Sequence, residues 1–262
     1  MKGWLVGLEL GAVVVATGVG LWATWDSTQT TAETMPVGTV DRLVTPTSGA
    51  RPTTTLPPPP ACQIADQPVT SDPAAEWATT LVDTALALPP AFVPPGLVEV
   101  SEAGFDSRDQ VRTEVIADLG AMRAAAEANG TPIVVVSGYR SFDYQRNLYD
   151  NDVRELGEPE ARRTTARPGH SEHQLGTAVD VLEPAAGELT PAFGQTPAGR
   201  WVVDHAHEYG FVQSYPEGAG DRTCYEYEPW HLRYVGREHA AAVHESGLTL
   251  REWLVARADD AG

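Results

Sequence analysis

The sequence predicts an α+β fold: a small, mainly antiparallel sheet with packed helices, preceded by an N-terminal membrane helix and a disordered linker. Three observations predict it. Short β-branched runs alternate with helical periodicities, but without the regular βαβ rhythm of a parallel sheet. Residues 3–25 are almost entirely apolar, and the 36 residues that follow hold ten Thr and seven Pro. The length, 262 residues, suits one ordinary domain plus such attachments. The division read from these features is 1–25 anchor or signal, 26–75 linker and 76–262 domain.

The apolar run at 3–25 is long enough to span a bilayer as a helix. Trp4 stands at one end and Trp22 and Trp25 at the other, where interfacial aromatics belong. Lys2 precedes the run and no base follows until Arg42, so the N-terminus is expected to stay in the cytoplasm and the rest to be exported. Glu9 is the one charge within the run. A cleaved signal peptide is the competing reading; export follows from both. The Thr/Pro stretch, ending in Pro57–Pro60, has too little apolar surface to offset the entropy of folding and reads as a spacer.

Beyond the linker, residues 73–88 place Trp77, Leu81, Val82, Ala85 and Leu88 roughly on one helical face. Prolines at 89–90 and 94–95 then break the chain. The clearest helix is 107–129, with Ser107 and Gln110 as a capping box and Val111, Val115, Leu119, Met122 and Ala126 as its apolar stripe. The run 132–136 reads as a buried strand, 142–156 as a helix and 157–170 as a mobile loop. A strand is expected over 177–182 and a helix from Thr196 to Tyr209, ended by Gly210. Strands at 211–213 and 230–235 follow, then helices at 236–245 and 250–258, the last with Thr249 and Glu252 as a capping box.

Thirty-six acids face 18 bases, a net charge of -18. Residues 76–262 alone hold 30 acids and 15 bases, so the acidity belongs to the domain and phosphate backbones are unsuitable partners. Cys62 and Cys224 form no C-x-x-C pair; in an exported chain they read as a disulfide.

The chemistry concentrates in Ser171–Asp180 and in Glu228–His231. Gly176 and the β-like run after it turn the chain into a strand carrying Asp180, and the turn lets His173 fold back towards it. His231, on another strand, completes a three-donor set. Two imidazoles and a carboxylate, with one position left open for water, are the inventory of a catalytic zinc site. Glu228 stands three residues before His231, placed for the site edge. His170 reads as a loop group, and His205, His207, His239 and His244 as structural. Glu172 and Glu183 flank the donor segment and are expected to turn away from it.

Ser171-x-His173-x-x-Gly176-x-Ala178-x-Asp180, with Glu228-x-Trp230-His231 downstream and Ser137–Ser141 upstream, resembles the VanY-type D-alanyl-D-alanine carboxypeptidases, in the zinc peptidase group that includes the VanX D,D-dipeptidases. The resemblance covers roughly residues 95–246. It implies that His173, Asp180 and His231 bind one Zn2+ and that Glu228 is the base acting on zinc-held water. It implies that Arg140 faces substrate and stabilises charge there, with Ser171 and Gln145 as substrate contacts. The implied reaction removes the terminal D-Ala from peptidoglycan stem peptides. An L,D-carboxypeptidase, a D,D-dipeptidase or an endopeptidase would use the same site, and a non-catalytic wall-binding module is the reading from another class. The oligomeric state is not legible.

Overall fold

The computed structural model describes residues 61–184 and 186–260, so the anchor reading at 1–25 and most of the linker lie outside the described residues. A four-stranded antiparallel sheet organises the rest, in the order β5-β6-β8-β7. These strands are β5 (Val134–Ser137), β6 (Ala178–Leu182), β7 (Phe211–Gln213) and β8 (His231–Tyr234). Two minor pairs precede it: β1 (Gln67–Pro68) beside β2 (Leu86–Ala87), and β3 (Leu97–Glu99) beside β4 (Gln110–Arg112). Helix α1 (Thr113–Ala128) buries Val115, Leu119, Met122 and Ala126, the expected stripe. They join Val135, Val179, Val181 and Leu232 of the sheet and Trp201 and Val202 of α4 (Pro197–His205) in one core. Alternation along β6 sends Val179 and Val181 into this core and leaves Asp180 for the opposite face.

Helix α2 (Phe142–Leu156) occupies the expected residues, and its N-cap Ser141 accepts from the Tyr144 amide. Thr196 caps α4 in the same way, accepting from Gly199 N, and a 3-10 turn carries the chain to Tyr209. After α5 (Gly220–Thr223), helices α6 (Arg237–Ser246) and α7 (Leu250–Asp260) close the chain. The capping box is present: Thr249 N and Glu252 N each donate to the other residue's side chain.

Four local readings are corrected. Residues 73–88 form turns and β2, not a helix. Asp83 accepts from the amides of Ala85 and Leu86, a local alternative to helical bonding. The helix expected from Ser107 begins only at Thr113, because Ser107 bonds Asp109 in a local turn and residues 110–112 pair with β3 instead. The loop at 157–170 contains a helix, α3 (Glu158–Thr164), with acids in its first turn, arginines in its last and an Arg162–Glu158 ion pair along it. Finally, residues 61–75, read as linker, carry β1, and the Pro73 and Ala74 carbonyls accept from the buried Arg112 guanidinium. The folded part therefore includes Cys62, which is joined to Cys224 as expected.

Candidate active site

Register brings the site together. Asp180 lies directly opposite His231 across β6 and β8, and opposite Ser137 across β5 and β6. Directly paired residues point to the same face with Cβ atoms about 5 Å apart. His173 comes from a 3-10 turn, Glu172–Leu175, whose N-cap Ser171 accepts from His173 N. Gly176 ends that turn at φ 71°, and a Cβ there would press on Pro94, Leu97 and Arg112. Arg112, fully buried, donates Nε to the Leu175 carbonyl and holds the turn from beneath.

The donor atoms converge. His173 Nε2 and His231 Nδ1 stand 3.3 Å and 3.2 Å from the same oxygen, Asp180 Oδ1. One donor atom from each of these three buried residues lies within 4.8 Å of the others. Ligands at about 2.0–2.1 Å around a tetrahedral zinc are separated by about 3.3 Å, so the set fits that ion. The tautomers fit as well. His173 Nδ1 donates to the Gly138 carbonyl at 2.7 Å, which leaves Nε2, a buried atom with no hydrogen-bond partner, to offer its lone pair. His231 Nε2 is 2.9 Å from Glu172 Oε2, which leaves Nδ1 facing Asp180.

Electrostatics separates the carboxylates. Burial pushes Asp180 up, but His173 and Arg140 beside it hold it well below the usual carboxylate range. Glu228, its Oε2 3.9 Å from His231 Nδ1, is pushed up to about 7 by burial, against the pull of His231. Burial likewise lowers His173, and Arg140 adds to the effect. Two neighbouring carboxyls thus differ in proton affinity, the pattern of a ligand beside a base.

These groups line a cleft of ≈ 860 Å³ together with Arg140, Gln145, Ser171, Tyr215, Trp230 and Leu189. Arg140 is tied by Nη2 to Asp180 Oδ2 and by Nε to Ser137 Oγ, so it adjoins the donors as well as the cleft. Gln145 donates to the Ala166 carbonyl, while its Oε1 is buried without a partner. Thr164, Thr165 and Ala166 at the end of α3, and Leu189 and Pro191 from the segment after β6, form part of the wall.

One expectation fails. Glu172 does not turn away: it is buried and bonded to His231, Ser214 and Arg233. Strand alternation does not govern it because it sits in the 3-10 turn before β6. A signal was available in β8, where Arg233 shares a face with His231 two residues earlier and, once buried, requires an anion. None of the remaining histidines lines the cleft: His170 bonds the Asp83 carbonyl and Asp66, and His207 stacks on His244.

Three convergent N/O donors with a separate, raised carboxyl in a cleft are the arrangement of a single-metal hydrolase site. A family model described as "VanY: D-alanyl-D-alanine carboxypeptidase" matches residues 108–237, and the chain belongs to this family. It is 44% identical over 179 residues to YodJ of Bacillus subtilis strain 168, covering 66% of each chain. The curated relatives are matched over 39% to 66% of their own lengths. Among solved structures, the LdcB LD-carboxypeptidase is 36% identical with TM-score 0.63, covering 74% of this chain and 98% of that one. VanYB in complex with D-alanine-D-alanine is 30% identical with TM-score 0.60, covering 68% and 98%. A D,D-pentapeptidase VanY mutant from a VanB-type resistance cassette, solved with Zn(II), is 30% identical with TM-score 0.59, covering 68% and 99%.

Proposed function

We propose that the chain is a zinc-dependent D-alanyl-D-alanine carboxypeptidase that removes the terminal D-Ala of peptidoglycan stem peptides. The observation that carries this reading is the convergence of His173 Nε2, Asp180 Oδ1 and His231 Nδ1, with both imidazoles tethered through their other nitrogen. One zinc ion per chain would be held by these three residues. When bound, zinc lowers the pKa of a water to about 7 and polarises a carbonyl.

The chain's own residues supply the proton transfers. Glu228 Oε2 takes a proton from the attacking water and gives it to the amine that leaves. A carboxyl near pKa 7 is matched to both steps. Arg140, anchored on Asp180 and Ser137, directs positive charge towards the oxygen that becomes negative or towards the substrate's terminal carboxylate. Ser171 and Gln145 bind the peptide from the cleft wall, Gln145 through its unpaired Oε1.

The substrate lies outside the cytoplasm. The reading therefore includes export, with residues 1–25 holding the domain to the membrane through the Thr/Pro linker. The Cys62–Cys224 disulfide is consistent with an oxidising compartment.

A second reading, an L,D-carboxypeptidase, is favoured by the LdcB likeness. The deciding experiment incubates the full-length protein, with zinc and with a chelator, with defined muropeptides, and identifies the products by mass spectrometry. Zinc-dependent loss of one D-Ala from a pentapeptide ending in D-Ala-D-Ala is the expected result. Cleavage only of tetrapeptides ending in a single D-Ala would establish the second reading instead. Release of the D-Ala-D-Ala dipeptide or cleavage within a cross-bridge would overturn both.

A further inference from the structure

Behind His231, on the side away from the cleft, lies a buried polar set that the proposed reaction does not use. Glu172 is its centre. Its Oε2 accepts from His231 Nε2 at 2.9 Å and from Ser214 Oγ at 2.6 Å, and its Oε1 accepts from Arg233 Nη1 at 2.9 Å. Arg233 is fully buried and is itself fixed by the Trp77 and Thr80 carbonyls, at 2.9 Å and 2.7 Å from Nη2. The carboxylate is therefore held on both oxygens by groups from β8 and from the residue after β7.

A buried Glu–Arg pair by itself is weak evidence of anything beyond structure, because desolvation offsets much of its attraction. The bond to His231 is what this pair alone does not explain. A neutral imidazole that donates from Nε2 offers its lone pair at Nδ1, whereas an imidazolium would donate from both nitrogens. Nδ1 is the atom that faces Asp180 and Glu228. The two imidazoles also differ in their tethers: His173 donates to a neutral carbonyl and His231 to a carboxylate. An anionic acceptor makes the bonded imidazole a stronger donor at its other nitrogen.

We propose that Glu172, clamped by Arg233 and Ser214, is a positioning residue that fixes the tautomer and ring direction of His231 and makes it the stronger of the two imidazole donors to the metal. This rests on the reading of His231 as a metal ligand. The division of labour is then plain: Glu228 handles protons at the front of His231 and Glu172 sets its electronic character from behind.

The test measures zinc affinity by competition with a chelating indicator, using the full-length protein. It also measures the imidazole 15N shifts of His231. Glu172→Gln keeps an acceptor and removes the charge. The pair Glu172→Leu with Arg233→Met removes the acceptor without stranding the buried guanidinium, so folding is preserved if the single variant fails. The expected result is a loss of affinity of roughly 10-fold in the first and up to about 100-fold in the second. The His231 15N pattern is expected to move away from the pure Nε2–H form in the second. A folded double variant that binds zinc within twofold of the wild type, with unchanged His231 shifts, would overturn the positioning role while leaving the hydrolase reading intact. A wild-type protein that binds no zinc would overturn both.

Discussion

Glu228 carries the most testable claim at the scale of single residues. Its carboxyl is raised from the ordinary 4.5 to about 7, chiefly by burial. The base must be ionised to accept a proton, so kcat/KM is expected to rise with pH along an acid limb. A divalent cation nearby stabilises the ionised form, so the limb's midpoint falls between 4.5 and about 7. Glu228→Gln removes the titrating group without a change of shape. It is expected to retain zinc and lose about 10²- to 10⁴-fold in kcat. Activity within tenfold of the wild type, at equal zinc content, would refute Glu228 as the base. The grouping of His173, Asp180 and His231, with Glu228 beside them, was legible because their spacing survives in the sequence as a motif. Ser214 was not, because it reaches His231 only through the Glu172 carboxylate, and Arg233 was legible only through its i+2 position on the same strand face.

At the scale of elements, the sheet was legible and its connections were less so. The runs 132–136, 177–182 and 230–235 appear as β5, β6 and β8 because their β-branched and apolar residues meet burial, on both faces in β6 and β8 and on one face in β5, where Val135 is buried and Val136 exposed. The start of α1 was misjudged because Arg112, a good helix former, is taken instead by a tertiary demand, its bonds to Leu175 and Pro73. The same junction positions His173. β5 runs into Gly138, whose carbonyl accepts from His173 Nδ1 and which lies against β4. A Cβ on Gly138 would come within 2.5 Å of the Gln110 carbonyl oxygen, a backbone atom that moves only with its strand. Gly138→Ala is therefore expected to push β5 from β4, displace the His173 tether and weaken zinc binding by at least tenfold. The domain is expected to remain folded but to melt lower, by about 1–3 kcal/mol of overpacking strain. Calorimetry and a zinc titration on the same sample check this. An unchanged zinc affinity would show that the Gly138 carbonyl does not orient His173.

At the scale of the whole molecule, the α+β class was readable but the N-terminal limit of the folded part was not. Residues 61–72 look like linker because they contain few apolar groups, and they are held by contacts distant in sequence. The β1–β2 pair has two residues on each side, too few to be stable alone. The segment is also held by the Asp66 carboxylate between Arg167 and His170, by Arg167 on the Ala65 carbonyl, by Ser71 on Thr80, and by the Cys62–Cys224 bond. Asp66 is exposed, so its ion pairs contribute little. The disulfide is the covalent restraint among them. It spans 162 residues of sequence, for which chain entropy gives at most about 5 kcal/mol, with about 2–5 kcal/mol the usual cost of removing a native bridge. A kcal/mol shifts Tm by roughly 2–4 °C in a domain of this size. The Cys62→Ser, Cys224→Ser variant is thus expected to melt about 5–15 °C below the oxidised wild type in calorimetry. The effect is expected to reach the cleft, because Cys224 immediately precedes Tyr225, Glu226, Tyr227 and Glu228, all of which line it. Substrate KM is accordingly expected to rise more than zinc affinity falls, since the three donors sit on β6, β8 and the 3-10 turn rather than on this segment. Equal melting temperatures for the variant and the oxidised protein would mean that the segment's other contacts suffice, and that the bridge is not the restraint that closes the fold.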